Sequence, residues 1–144
     1  MRRVPGRRGP ETLPAAGYRT RAVVTIDDVR AFAGPLPRSY EVVVRGRVKF
    51  RVKQIVYVAF SKDETLMGFG FPKEEREWLV GSEPEKFLMP RESDLRFSWV
   101  VARLDALELA EMQTLVFDAW RMVVPKYVAR EYADVAGLSL ADPD

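Results

Sequence analysis

Apolar positions along the chain switch several times between a helical period and a two-residue alternation. Thr25 opens the first element. Ile26, Val29, Phe32 and Ala33 recur at helical spacing, Asp27 and Asp28 suit the positive end of a helix, and Gly34-Pro35 stop it. Residues 40–44 and 48–52 read as strands, continuous or paired according to whether Gly46 makes a bulge or a turn. Residues 55–60 are apolar on both faces, as expected of a central strand. A turn at 61–64 leads to a strand over 65–71. Pro72 opens a helix over 73–80, which Gly81 ends. Ser82 and Glu85 fit a capping box for a short helical turn reaching Leu88. A loop over 89–96 precedes a strand over 97–104. Asp105 and Glu108 then cap a helix running to about Val123, with Leu109, Met112, Leu115, Val116, Ala119 and Val123 inward. Pro125 starts a last helix over 126–133, and Gly137 closes the domain.

This order predicts an α+β fold, an antiparallel sheet of about five strands with helices packed on one face. Residues 23–135 form the predicted domain. Residues 1–22 read as a disordered basic tail, with too many Pro and Gly to bury a core, and residues 136–144 as an acidic tail. Trp78, Trp99, Trp120, Tyr40, Tyr57, Phe69 and Phe71 read as core residues, because each sits among apolar neighbours in a regular element.

Charge changes the picture at one place. In residues 44–53 the odd positions are Arg45, Arg47, Lys49, Arg51 and Lys53, and the even ones Val44, Gly46, Val48, Phe50 and Val52. A strand sends alternate side chains to opposite faces, so one face is basic and the other apolar. An unbroken strand spreads the five cations over nearly 30 Å, and a turn at Gly46 leaves Arg47, Lys49 and Arg51 as its secure part. Residues 1–54 hold 13 Lys and Arg against 4 Asp and Glu, a net of +9, whereas residues 55–144 net −7 from 10 against 17. Such a split fits either a polyanionic partner for the first half or two halves that pair with each other.

Composition removes much of the chemistry. The chain contains no Cys, His or Asn. Disulfides, thiolate sites, Ser-His-Asp and Cys-His mechanisms are therefore excluded. The carboxylates at Asp27/Asp28, Asp63/Glu64, Glu74/Glu75 and Asp105/Glu108 all sit at turns or helix starts, where local physics explains them. No metal-ligand spacing has a supporting context, so neither metal, cofactor nor enzymatic activity is expected. No apolar run is long enough to span a membrane and no apolar segment follows the N-terminal arginines, so a cytoplasmic protein is expected.

A series of segments resembles the MmcQ/YjbR family. These are T-I-D-D-V-R-A-F-A at 25–33, K-F-R-V at 49–52 with I-V-Y-V-A-F after it, and F-P-K-E-E-R-E-W-L at 71–79. E-P-E-K-F at 83–87, S-W-V-V-A-R-L-D at 98–105 and D-A-W-R-M-V-V-P-K at 118–126 complete it. The resemblance implies a small α+β domain of the double-wing, DNA-binding-like kind, in a bacterial protein. Family members often carry His just before the F-R-V strand, where this chain has Arg47, and a Gly-rich turn after it, where this chain has Lys53-Gln54.

Two functional readings follow. In one, the chain binds DNA phosphates with little sequence preference through Arg45, Arg47, Lys49, Arg51 and Lys53. Arg91 and Arg96 form a second wing, unless Glu92, Ser93 and Asp94 make that loop self-neutralising. In the other, the chain is a protein-interaction or small-ligand module whose basic face is solvated, or paired with Glu41, Glu74, Glu75 and Glu77.

Overall fold

A computed structural model describes residues 23–137; the two expected tails lie outside them, apart from Ala136 and Gly137. The elements run α1 (Ile26–Ala33), β1 (Ser39–Val44), β2 (Arg47–Val52), β3 (Ile55–Phe60), β4 (Leu66–Gly70), α2 (Lys73–Ser82), β5 (Phe87–Leu88), β6 (Trp99–Arg103), α3 (Leu109–Arg121) and α4 (Lys126–Ala136). The six strands form one antiparallel sheet in the order β1-β2-β3-β4-β6-β5. The α+β class holds, with one strand more than expected.

Turn chemistry sets the first half of the sheet. Arg45 and Gly46 both have positive φ, 53° and 78°, as a two-residue type I′ hairpin turn requires. β1 and β2 are therefore separate strands, with Val44 opposite Arg47 and Ser39 opposite Val52. Lys53, at φ 56°, turns β2 into β3. Between the pairs Phe50–Val58 and Arg51–Val56 the register shifts, so Tyr57 is an extra residue on β3. This bulge turns Tyr57 and Val58 both inward. The buried Tyr57 hydroxyl meets the Ser39 hydroxyl at 2.5 Å. Burial pushes the Tyr57 phenol up to about 12.

One face of the sheet carries the core. Val48, Phe50, Val52, Val58, Phe60, Met67, Phe69, Phe87, Val100 and Ala102 pack there with Val29, Met112, Val116 and Trp120 from α1 and α3. Arg30 of α1 binds Glu41 of β1 at 3.1 Å on the same side. The Trp120 indole N–H donates to the Pro37 carbonyl at 2.9 Å and closes the α1–β1 connection over α3. α4 adds Val128, Ala129, Ala133 and the Tyr132 ring, 5.5 Å from that of Trp120. Thr25 caps α1 with a capping box through Asp28, and Gly137 ends α4 in the left-handed conformation.

Four local expectations are corrected. α2 runs through Gly81 to Ser82, because the Glu83 N–H still reaches the Leu79 carbonyl. The Ser82 hydroxyl bonds back to the Trp78 carbonyl at 2.7 Å instead of capping a new turn, and Phe87–Leu88 pair with β6 as a short edge strand. α3 begins at Leu109, later than expected, with Glu108 and Glu111 as its capping box, and Leu109 is half exposed at 50%. Of the aromatic residues expected inside, Trp120, Tyr57 and Phe69 are buried, but Trp78 is 73% and Tyr40 42% exposed. Trp78 lies on the side of α2 away from Leu79, a face that helical periodicity over so short and polar a helix does not identify.

Candidate nucleic-acid interface

Paired residues in an antiparallel sheet share a face, so the register defines the side opposite the core. One row across it is Val42, Lys49, Ala59, Gly68, Val101 and Leu88. Arg47 and Arg51 flank Lys49 along β2, opposite Val44 and Tyr40 of β1. Arg51 also faces Val56, and the remaining members are Leu66, Gly70, Trp99 and Arg103. No member of this face is acidic. All are half-buried or exposed except Gly68, which Trp99 covers.

Five expected cations thus reduce to three on one strand. Arg47, Lys49 and Arg51 point away from Val48, Phe50 and Val52, which are buried. The three span about 13 Å at the usual strand rise, in place of the ribbon of nearly 30 Å. Arg45 and Lys53 leave the strand, because each occupies a hairpin turn at one of its ends. Both adopt positive φ, which Asn or Gly takes with less strain.

None of these five side chains makes an ion pair or hydrogen bond among the described residues. Arg51 Nε is shielded from water and has no acceptor. The acids that were candidates to neutralise the stripe are elsewhere. Glu41 points to the core side and holds Arg30. Glu74, Glu75 and Glu77 ride on α2, which packs against β5 and β6 at the other end of the sheet.

The expected second wing does not join this site. Arg91 and Arg96 lie in the connection from β5 to β6, at the far end of the strand order. Arg91 binds Asp94 at 3.1 Å, and the Arg96 guanidinium sits 4.7 Å from the centre of the Phe97 ring. Sequence periodicity missed Trp99 as a surface group. Its indole occupies the space beside Gly68 on the open face, where a Cβ at Gly68 would lie 2.6 Å from Trp99 Nε1. The signal available was Gly68 itself, a glycine inside a strand, which marks close approach by another group.

Among the described residues no cluster of three or more acids is placed to hold a metal ion, and no helix is long and apolar enough to cross a membrane.

The architecture is that of a small α+β domain built on a six-stranded antiparallel sheet. It is similar to a crystal structure of the Deinococcus radiodurans protein DR2400, a DUF419 domain. The TM-score is 0.62 at 18% identity, over 84% of this chain and 94% of that chain. DUF419 is related to the MmcQ/YjbR family, so the fold agrees with the one the sequence resemblance implies. At that identity the likeness establishes the fold alone. No family model matches the chain, and no curated protein gives a significant match.

Proposed function

We propose that this protein is a non-enzymatic nucleic-acid-binding domain that contacts DNA phosphates through Arg47, Lys49 and Arg51 with little sequence preference. The observation that carries this reading is a row of three cations without counter-charges on a sheet face that contains no acid. Arg45 and Lys53, held in turns at the two ends of the row, extend the positive field without adding to its register.

Such contacts position a polyanion and do not read bases. Three neutralised phosphates give a log–log salt slope of about −2.1 to −2.7, so affinity falls about 20- to 40-fold between 50 and 200 mM salt. Fluorescence-anisotropy titration of DNA at those two concentrations tests this. Absence of binding at 50 mM salt overturns the reading, and binding indifferent to salt overturns the phosphate contacts.

A further inference from the structure

The basic row shares its face with an aromatic group whose position the proposed phosphate contacts do not explain. Gly68 lies level with Lys49, with Ala59 the residue between them. From β2 to β4 is two strand spacings, about 10 Å. The Trp99 indole reaches from β6 over Gly68, filling the place of the missing side chain. Between the cations and the ring the floor at this level is only the Ala59 methyl and the Gly68 backbone. Trp99 is half-buried, so the residue keeps some contact with solvent. The face is therefore a shallow strip with three positive charges along one side and an indole along the other.

A duplex suits this strip poorly. Its bases are stacked on one another, and their edges lie at the bottom of a major groove about 8.5 Å deep. An indole half-buried in its own sheet cannot reach them. β2 cannot enter the groove as part of a two-stranded ribbon either, because it is paired on both sides, with β1 and β3. A single strand has both features the strip can use: a backbone of phosphates on one side and open base faces on the other. Aromatic stacking beside a basic track is the physical basis of sequence-tolerant single-strand binding.

We infer that the open sheet face binds single-stranded nucleic acid in preference to duplex, with phosphates on Arg47, Lys49 and Arg51 and a base packed on Trp99. The inference rests on the phosphate-binding reading above and narrows it to one class of ligand. The stripe binds either form through charge. Only the single strand gains the base contact.

The test is a titration of the full chain at 50 mM salt with labelled oligo(dT), oligo(rU) and a duplex of equal strand length. The expected order is single strand tighter than duplex, and the dT and rU arms tell whether DNA or RNA is the better strand. Trp99→Leu is expected to weaken single-strand binding about 5- to 150-fold and to leave duplex binding within twofold, with Trp99→Phe restoring most of the loss. In a Trp78→Phe protein, which removes the exposed indole on α2, saturating oligo(dT) is expected to quench tryptophan emission. That measurement needs no change at Trp99 and stands even where Trp99→Leu fails to fold. Equal or tighter duplex binding, equal losses for both forms in Trp99→Leu, or no quenching overturns the inference and leaves the phosphate contacts standing. Binding of neither form by the wild type overturns the phosphate-binding reading itself.

Discussion

The arginines at the two ends of the sheet have opposite fates. Near β5 and β6 each is engaged. Arg76 of α2 is 6% exposed and donates to the carbonyls of Leu95, Phe97 and Trp99 at 2.6–3.1 Å. These lie along β6 and the segment leading into it, beyond the reach of the two-residue β5, so one guanidinium does the work of a missing strand. Arg103 donates to the carbonyls of Pro84 and Glu85, and Arg91 is ion-paired with Asp94. On β2, Arg47, Lys49 and Arg51 have no such partner among the described residues. The same chemical group holds the chain together where a sheet edge is incomplete, and stands open where the sheet is fully paired.

Four experiments break or sharpen this contrast. Replacing Arg47, Lys49 and Arg51 together by Ser removes three charge-assisted contacts of about 1.5 kcal/mol each, so nucleic-acid affinity is expected to fall roughly a thousandfold. Chemical denaturation of the same variant should stay within about 0.5 kcal/mol of wild type per site. A large stability loss would mean that the open arginines also hold the fold. Arg76→Leu, at the other end, is expected to cost about 3 kcal/mol in denaturant titration, since it strands three carbonyls, and to leave duplex binding of the folded protein, which rests on the β2 cations, unchanged.

Tyr57 marks the boundary between the regions, at the bulge beside Arg51. Its phenol is raised by burial from 10.0 to about 12. The folded state therefore holds the proton more tightly than the unfolded chain, and this component of stability is complete below pH 10 and lost as pH rises towards 12. Tyr57→Phe should be less stable than wild type by about 1 kcal/mol at pH 8, through loss of the bond with Ser39. Thermal melts should show that gap closing between pH 10 and 12, and a constant gap would exclude Tyr57 as the group responsible. The smallest effect belongs to Arg91→Ala. Its ion pair is exposed, so stability should change by less than about 0.5 kcal/mol and binding not at all, measured by the same titrations. A clear loss of binding would restore the loop over 89–96 as a second contact surface.

Much of the fold was legible in local pattern. The strong helix start at Thr25, the β-rich segments, the restart at Pro125 and the close at Gly137 all depend on neighbours a few residues away. Gly81 misled because a glycine past the middle of an exposed helix lowers its propensity without ending it. Leu88 misled because a two-residue edge strand carries no periodicity, and only pairing with Val101 defines it. Trp78 and Trp99 misled because they, like the buried Trp120, sit in regular elements beside apolar residues in sequence. Burial depends on what lies across from a side chain: α1 and the Pro37 carbonyl over Trp120, Gly68 beneath Trp99, and water around most of Trp78.

The alternation of charge and apolarity over residues 47–52 was determined by the sequence alone. With a side-chain period of two and three apolar partners bound for the core, Arg47, Lys49 and Arg51 had to share the outer face. Whether those charges met counter-charges was a tertiary matter. Glu41, Glu74, Glu75 and Glu77 were all near enough in sequence to neutralise them. The register of β1 turned Glu41 to the opposite face, and the strand order placed α2 at the far end of the sheet. The tertiary structure also put an indole from β6 level with the cations of β2, joining residues 50 positions apart through two intervening strands. Local sequence sets which way a side chain points along its own strand; only the pairing of strands decides what stands beside it.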